Sequence, residues 1–371
     1  MAVTFPASPA NGDTFRFPNG WMYRWNGVAW VKISATPGRT ARPRNYLLNA
    51  AMEFSDEYGY PTSSLSGTGV GDAYPAEQWR HRISVPSAVY SGGCYTPNGP
   101  PVGAGFYIGG QYGNGAVPGT SSFWLIEQSI EGTFFKDFGW GAAGAKAAVL
   151  RFWVQAAIGT WSIKISNSAA DRAFIAQFLV PDNANWTEVS IPIPGDTTGT
   201  WLADTGIGAR VSWCLYCGSD FNGVLGWQSG NKYNIAGQRS LLDADNSYFF
   251  MGAPGLYLDP DNTKAAPLWE TPDLQETISA CRRYFSKTVT GHGGPGTNAY
   301  NMWSIGQLGA PPRVAPALSG SNISNSGYPA TVGTLRWEAD AAGAVISEQR
   351  AVNATASSTF YSTLVTANGR L

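Results

Sequence analysis

The chain has 371 residues, enough for a full hydrophobic core, two domains and an appendage. Charged residues make up only 13%, about half the usual share, so few side chains are candidates for acid–base chemistry. A net charge of −1 gives no sign of a nucleic-acid partner, and no apolar run approaches the ~18 residues of a membrane span.

Forty-five glycines, 24 prolines and 13% aromatic residues punctuate short β-branched and aromatic runs, the pattern of an all-β sandwich or barrel. Residues 1–34 read as a small β-hairpin module. Asn19-Gly20 and Asn26-Gly27 are turn signals, and Trp21, Tyr23 and Trp25 alternate with Met22 and Arg24 at strand period. A piece this short cannot bury Phe5, Phe15, Phe17, Trp21, Tyr23, Trp25 and Trp30 by itself. Those rings, with Arg16 and Arg24, are the expected anchoring residues. The segment through residue 44 carries +5, leaving −6 for the rest; a basic arm docking on an acidic protein surface and a solvated linker both fit that asymmetry. Residues 35–44 read as a linker.

Residues 45–270 carry the clearest strands. Leu150, Phe152 and Val154 face one way, as do Trp161, Ile163 and Ile165, then Phe174, Ala176, Phe178 and Val180, and later Ala209, Val211, Trp213 and Leu215. One buried face per strand, with turn signals every 8–14 residues, predicts an antiparallel jelly roll or sandwich. A single connecting helix is expected over 271–286, with Thr271 as cap and Leu274, Ile278, Cys281 and Phe285 on one face. A smaller C-terminal β domain follows over 287–371, with strands at 331–337, 344–347 and 359–365.

Constellations for chemistry are sparse. His81 sits between Arg80 and Arg82, whose charges should lower its pKa, and His292 lies in a glycine-rich stretch. Ser229-Gly-Asn-Lys232 matches a Ser-x-x-Lys spacing without its companion motifs. Cys214 and Cys217 lie three apart in an expected strand, so their sulfurs should point to opposite faces and neither bridge nor share a metal. Asp259 and Glu270 have the outer spacing of a calcium loop, but Lys264 occupies the position that needs glycine; an Asx turn and a calcium site of other geometry both remain open. Asp171, Asp182, Glu188, Asp196, Asp204 and Asp220 could supply a carboxylate pair only if the fold gathered two of them across a cleft. No catalytic residue, cofactor or metal is assigned. The aromatic excess is the most function-like feature: Trp140, Trp201 and Trp227 lie in glycine-rich loops, where flat rings can stack on sugar rings.

The block Arg151–Glu270 is similar to the carbohydrate-binding-module-like jelly roll of bacteriophage tail fibres and head or tail spike proteins, also found in gene-transfer-agent-like particles. Leu150-Arg-Phe-Trp-Val154, Ile163-Lys-Ile-Ser-Asn-Ser168, Trp186-Thr-Glu-Val189 and Ile193-Pro-Gly-Asp-Thr-Thr-Gly-Thr-Trp201 carry the resemblance. Leu47-Leu-Asn-Ala-Ala-Met52 and Tyr74-Pro-Ala-Glu-Gln-Trp79 resemble that family's opening strands, and Cys281-Arg-Arg-Tyr-Phe285 the helix after its jelly roll. Phe249-Phe-Met-Gly-Ala-Pro-Gly-Leu256 departs from the polar residues that usually end it. The resemblance implies a virion structural protein, trimeric or otherwise oligomeric; the sparse acid–base constellations add the expectation of no enzymatic activity, and Met1-Ala-Val-Thr-Phe5, without a charged n-region and an apolar h-region, that of synthesis in a bacterial cytoplasm without a leader. It would bind other virion proteins through residues 1–44 and display β domains for host-surface polysaccharide, with no nucleic acid and no membrane insertion. The rival readings are a tailspike-type glycan depolymerase and an architectural decoration protein without a ligand.

Overall fold

Alternating apolar residues between Gly, Pro and Asn turns produce an almost wholly antiparallel β protein in the computed structural model. The structure describes residues 8–10, 13–16, 22–25, 27–32, 43–59, 61, 64–294, 300–307, 317–325, 334–340, 343–352, 359–368 and 370–371. The chain divides into two units, Met1–Arg44 and Asn45–Leu371.

In the first unit, β1 (Thr14–Arg16), β2 (Met22–Trp25) and β3 (Trp30–Lys32) form a three-stranded antiparallel sheet. Phe15 pairs with Tyr23, and Arg24 with Thr14 and Val31, in the backbone register. The rings of Trp25 and Trp30 meet with centroids 5.7 Å apart. Phe5, Phe17 and Trp21 lie outside the described residues, as does most of the 35–44 segment.

The second unit opens with β4 (Ser64–Ala76), β5 (Trp79–Tyr95), β6 (Tyr107–Asn114) and β7 (Phe123–Glu131). The four-residue helix α1 (Gly132–Phe135) follows, then β8 (Ala147–Ala156), β9 (Gly159–Ser166), β10 (Arg172–Val180), β11 (Thr187–Ile193), β12 (Ile207–Cys217), β13 (Gly226–Ser229) and β14 (Tyr248–Asp259). Their hydrogen-bonded order is β11-β8-β14-β6-β5-β7-β12-β9-β10-β13, with β4 paired to β5. Strand β5 turns the corner: residues 80–84 pair with β7, while 89–95 pair with β6. The sheet therefore closes into two layers. Phe152 on β8 packs on Phe178 of β10 (5.1 Å) and Trp213 of β12 (5.4 Å), and Trp161 of β9 packs on Phe249 of β14 (5.1 Å), all between strands that are not hydrogen-bonded neighbours.

The predicted inward sets are the core. Leu150, Phe152, Val154, Trp161, Ile163, Ile165, Val211 and Trp213 are all 0% exposed, and each such side chain contributes about 1.5–3 kcal/mol on burial. Helix α1, which sequence periodicity is too brief to reveal, carries Phe135 into the same core. Its first residue must be glycine, because a Cβ at position 132 would stand 2.4 Å from the Leu202 carbonyl oxygen.

Two local expectations change. Strand β12 has a register shift between Cys214 and Tyr216 against β7. The extra residue reverses the alternation, so Cys217 returns to the face of Cys214. The two sulfurs, predicted to diverge, form a disulfide across a Cα–Cα separation of 6.5 Å, and Cys94 and Cys281 are the buried free thiols. The connecting helix α2 runs Leu274–Arg282 and is capped by Asp273 rather than Thr271: the Asp273 carboxylate accepts from the Gln275 and Glu276 N–H groups. Of the expected face, Cys281 is buried, Leu274 is exposed, and Phe285 already belongs to the next strand.

That strand, β15 (Phe285–Gly294), precedes β16 (Tyr300–Gln307), β17 (Ala317–Asn325), β18 (Thr334–Asp340), β19 (Gly343–Val352) and β20 (Thr359–Asn368). They make two antiparallel sheets, β15-β20-β17 and β16-β19-β18. The predicted strand at 331–337 begins outside the described residues. The C-terminal Arg370 reaches back to the sandwich: Nε and Nη2 donate to Glu77 at 3.1 and 3.0 Å, Nη1 donates to Glu57 at 2.7 Å, and the Phe285 ring covers the guanidinium at 3.7 Å.

Candidate functional site: a charged groove on the outer sheet face

Strand period puts every second residue of β5, β7, β12 and β9 on the outer face of one layer, and register lines them up. Arg80 pairs with Glu127, Glu127 with Ser212, and Ser212 with Lys164. This row crosses four strands whose members run from Arg80 to Ser212 in sequence. Beside it, Arg210 pairs with Ser166. The resulting groove encloses about 250 Å³.

Its floor is polar and nearly inaccessible: Glu127, Lys164, Ser166 and Ser212 are each 1% exposed. Glu127 accepts from Ser212 Oγ at 3.3 Å and from Arg80 Nη1 at 3.4 Å, and Arg82 Nη1 lies 3.5 Å from the same carboxylate. Arg80 is also tied to Asp72. Lys164 Nζ donates to Asn231 Oδ1 at 2.8 Å and stands 3.5 Å from the centroid of the Tyr233 ring. Arg210 Nη1 donates to the Ser168 carbonyl at 2.8 Å. Ser166 Oγ is buried in the groove with no hydrogen-bond partner.

Burial, reinforced by the charges of Arg210 and Arg82 and opposed by Glu127, pushes the Lys164 ammonium down to about 7. The Tyr233 phenol is pushed up by burial and by Glu127. A lysine in the middle of a period-2 strand reads as a solvated residue in sequence. Here the segment after β12 folds over it and makes it a buried one.

That segment forms the groove wall. Tyr233 stacks on Phe123 (6.3 Å) and meets Phe221 edge-on (4.9 Å). Beneath them, Leu125, Cys214, Cys217 and Tyr233 form a small buried cluster separate from the main core. Asn234 Nδ2 donates to the Cys217 carbonyl at 3.3 Å, and the Tyr233 N–H to the Phe221 carbonyl at 2.9 Å. The disulfide thus lies at the foot of the wall that presents Tyr233.

The three tryptophans singled out in sequence do meet, but elsewhere. Trp140 lies 4.9 Å from Trp201 and 5.0 Å from Trp227, and Trp201 lies 5.8 Å from Trp227, all edge to face. Trp140 is 7% exposed, and the other two are half-buried against the main core. Each indole N–H has a protein acceptor: the Lys146 carbonyl, Asp196 Oδ2 and the Pro194 carbonyl respectively. A further half-buried set, Tyr95, Tyr107, Trp186, Tyr248 and Phe250, lines the other layer with centroid separations of 5.3–5.7 Å. Sequence inspection misses it because its members come from four separate segments.

The remaining candidates are engaged locally. His81 faces inward, accepting from Trp124 Nε1 at 3.4 Å, and burial lowers its pKa to about 4. The expected cause, Arg80 and Arg82, lies on the opposite strand face. Asp196 is drawn up by burial, but Arg172, Trp201 and the Thr198 N–H hold it below the usual carboxylate range. Glu188 pairs with Arg151, Asp171 accepts from Asn167, Asp204 from the Gly206 N–H and Asp220 from Thr120. Asp182 accepts from Asn185 and from the Ala184 N–H. Asp259 closes a local loop wider than an Asx turn, its carboxylate accepting from the Thr263 and Lys264 N–H groups and from the Thr263 hydroxyl. Among the described residues, no three His, Cys, Asp or Glu side chains gather as a metal site. Lys232 Nζ donates to the Asp220 carbonyl rather than to Ser229. His292 lies on β15, paired with Tyr361.

No family model matches the chain, and no curated protein matches it. Among solved structures, it is similar to the enzymatically active domain of tailspike protein 4 of bacteriophage CBA120, with 9% identity over 58% of this chain and 21% of that one and a TM-score of 0.29. It is also similar to TmCBM61, solved with β-1,4-galactotriose, with 11% identity over 58% of this chain and 99% of that one and a TM-score of 0.26. A family 11 carbohydrate-binding module of a Clostridium thermocellum cellulase aligns with 13% identity over 52% of this chain and 97% of that one, with a TM-score of 0.27.

Proposed function

We propose that the protein is a non-catalytic component of a phage-type particle, a fibre or spike, whose sandwich binds host-surface polysaccharide in the charged groove. The observation that carries the reading is the groove floor. Strand register fixes Arg, Glu, Ser and Lys side chains as alternating donors and acceptors beside an aromatic wall, the mix that sugar hydroxyls and ring faces require. Because the floor residues are already held by the sheet, little side-chain freedom is lost on binding.

Glu127 is the only carboxylate among the groove's described lining residues. Glycoside hydrolysis uses two carboxyl groups about 5–10 Å apart, so the groove is suited to binding rather than cleavage. In the same reading, residues 1–44 attach the chain to other particle proteins, and the assembled form is a homo-oligomer. The test is to incubate the purified full chain with capsule and envelope polysaccharides, measuring retention and new reducing ends together. Retention without turnover is the expected result. Sustained release of reducing ends, lost in Glu127→Gln, would replace this reading with a depolymerase.

A further inference from the structure

Among the described residues, two of the groove's cations form no ion pair with a carboxylate, although the charge of Glu127 acts on both. Lys164, buried to 1% exposure, has Asn231 and the Tyr233 ring as its partners, while Arg210 reaches only the backbone carbonyls of Asn167 and Ser168. With Arg82, which stands 3.5 Å from Glu127 and 3.9 Å from Asp72, they make three cations around the one carboxylate that lines the groove, Glu127, which Arg80 also contacts. A buried ammonium with no carboxylate in ion-pair contact is costly, and that cost is what draws its titration down to about 7. Ser166 adds a buried hydroxyl in the same groove with no partner. Unpaired positive charge and an idle donor in one cavity are the complement of a missing anion.

We infer that the groove takes an acidic sugar, a ring bearing a carboxylate or a sulfate ester, with the anionic substituent seated against Lys164, Arg82 and Arg210 and hydrogen-bonded by Ser166. This inference rests on the polysaccharide reading above and narrows it to acidic polymers. The whole molecule carries −1, so general electrostatic attraction does not supply the selectivity; the local field of the groove must.

Proton linkage gives the inference a signature. Lys164 faces Glu127 on β7, Arg82 on β5, Arg210 on β12 and Tyr233 on the wall, and in the free protein it titrates near 7. A bound anion stabilises the ammonium and raises that value, so binding takes up a proton above pH 7. Affinity should therefore be nearly flat below pH 7 and fall as pH rises beyond it, by up to about tenfold per unit. Sugar carboxylates ionise far below this window, so the slope belongs to the protein.

The experiment is calorimetric titration of the full chain, between pH 6 and 9, with polygalacturonate, with the same polymer after reduction of its carboxyls to alcohols, with dextran sulfate and with a single-stranded oligonucleotide. The expected result is binding to polygalacturonate or dextran sulfate, whichever carries the matching anion, a loss of at least tenfold for the neutral polymer, and weakening above pH 7. Lys164→Met, close in volume and apolar, should remove the pH slope and most of the affinity while leaving the melting temperature equal or higher. Should Lys164→Met fold poorly, Arg82→Gln, a partly exposed position, should also weaken binding, but with the fall in affinity kept and moved to higher pH, since Arg82 is one of the charges that lower Lys164. Equal binding of the neutral and acidic polymers would overturn the inference and leave the polysaccharide reading standing. No binding to any polymer would overturn both, and oligonucleotide binding as tight as that of the acidic polymers would overturn the sugar assignment.

Discussion

At the scale of single residues, burial decides behaviour more than sequence neighbours do. His81 is flanked by two arginines, yet alternation sends them to the opposite face and the imidazole into the core. Its folded pKa of about 4 lies below the unfolded value of ~6.5. The unfolded chain therefore binds the proton first as pH falls, so the contribution of this residue is fully present above pH 6.5 and lost progressively toward pH 4. The loss is on the order of 3 kcal/mol. Urea denaturation at pH 7 and pH 4.5 should show that drop, and His81→Gln should shrink the difference between the two pH values. Trp140 makes the second residue-scale case. Its sequence context suggested a sugar platform, but its ring is enclosed by Phe135, Phe138, Trp201 and Trp227. Trp140→Ala should cost about 3–5 kcal/mol of stability, measured by denaturant titration, and leave polysaccharide affinity of the folded fraction unchanged.

Among elements, β12 shows what the pattern of a strand conveys and what it hides. Ala209, Val211 and Trp213 were readable as an inward row because period-2 alternation needs only local sequence. The irregularity after Cys214 was not readable, since a bulge is set by pairing with β7 and leaves no mark in composition. That single residue separates two divergent thiols from a disulfide. Thiol titration of the unfolded, unreduced protein should find two free thiols, Cys94 and Cys281, rather than four. Reduction should loosen the wall that carries Tyr233 and weaken polysaccharide binding about three- to tenfold, because the ordering of the wall would then accompany binding. The groove itself was hidden for a related reason. Glu127, Lys164 and Ser212 come from three different strands, and only non-local register makes them neighbours.

For the whole molecule, the sparse charges fall into a few roles. Arg282, Arg283 and Arg370 hold α2 and the C-terminus to the sandwich through Asp56, Glu131, Glu57 and Glu77, and the groove takes several of the rest. The basic residues of the first 44 positions belong to the first unit. Deleting residues 1–44 should leave the second unit folded and binding polysaccharide, but absent from assembled particles; normal copy number of the truncated chain in purified particles would refute the anchoring role. The central claim is that ligand is held in the charged groove rather than at an aromatic cluster. Hydrogen-exchange mapping with bound acidic polysaccharide tests it most directly. The account predicts added protection in 167–171 and 229–234, which border the groove. Protection confined to 139–146 and 194–203, around the tryptophans, or to 95–107 and 183–186, around Tyr107 and Trp186, would contradict it.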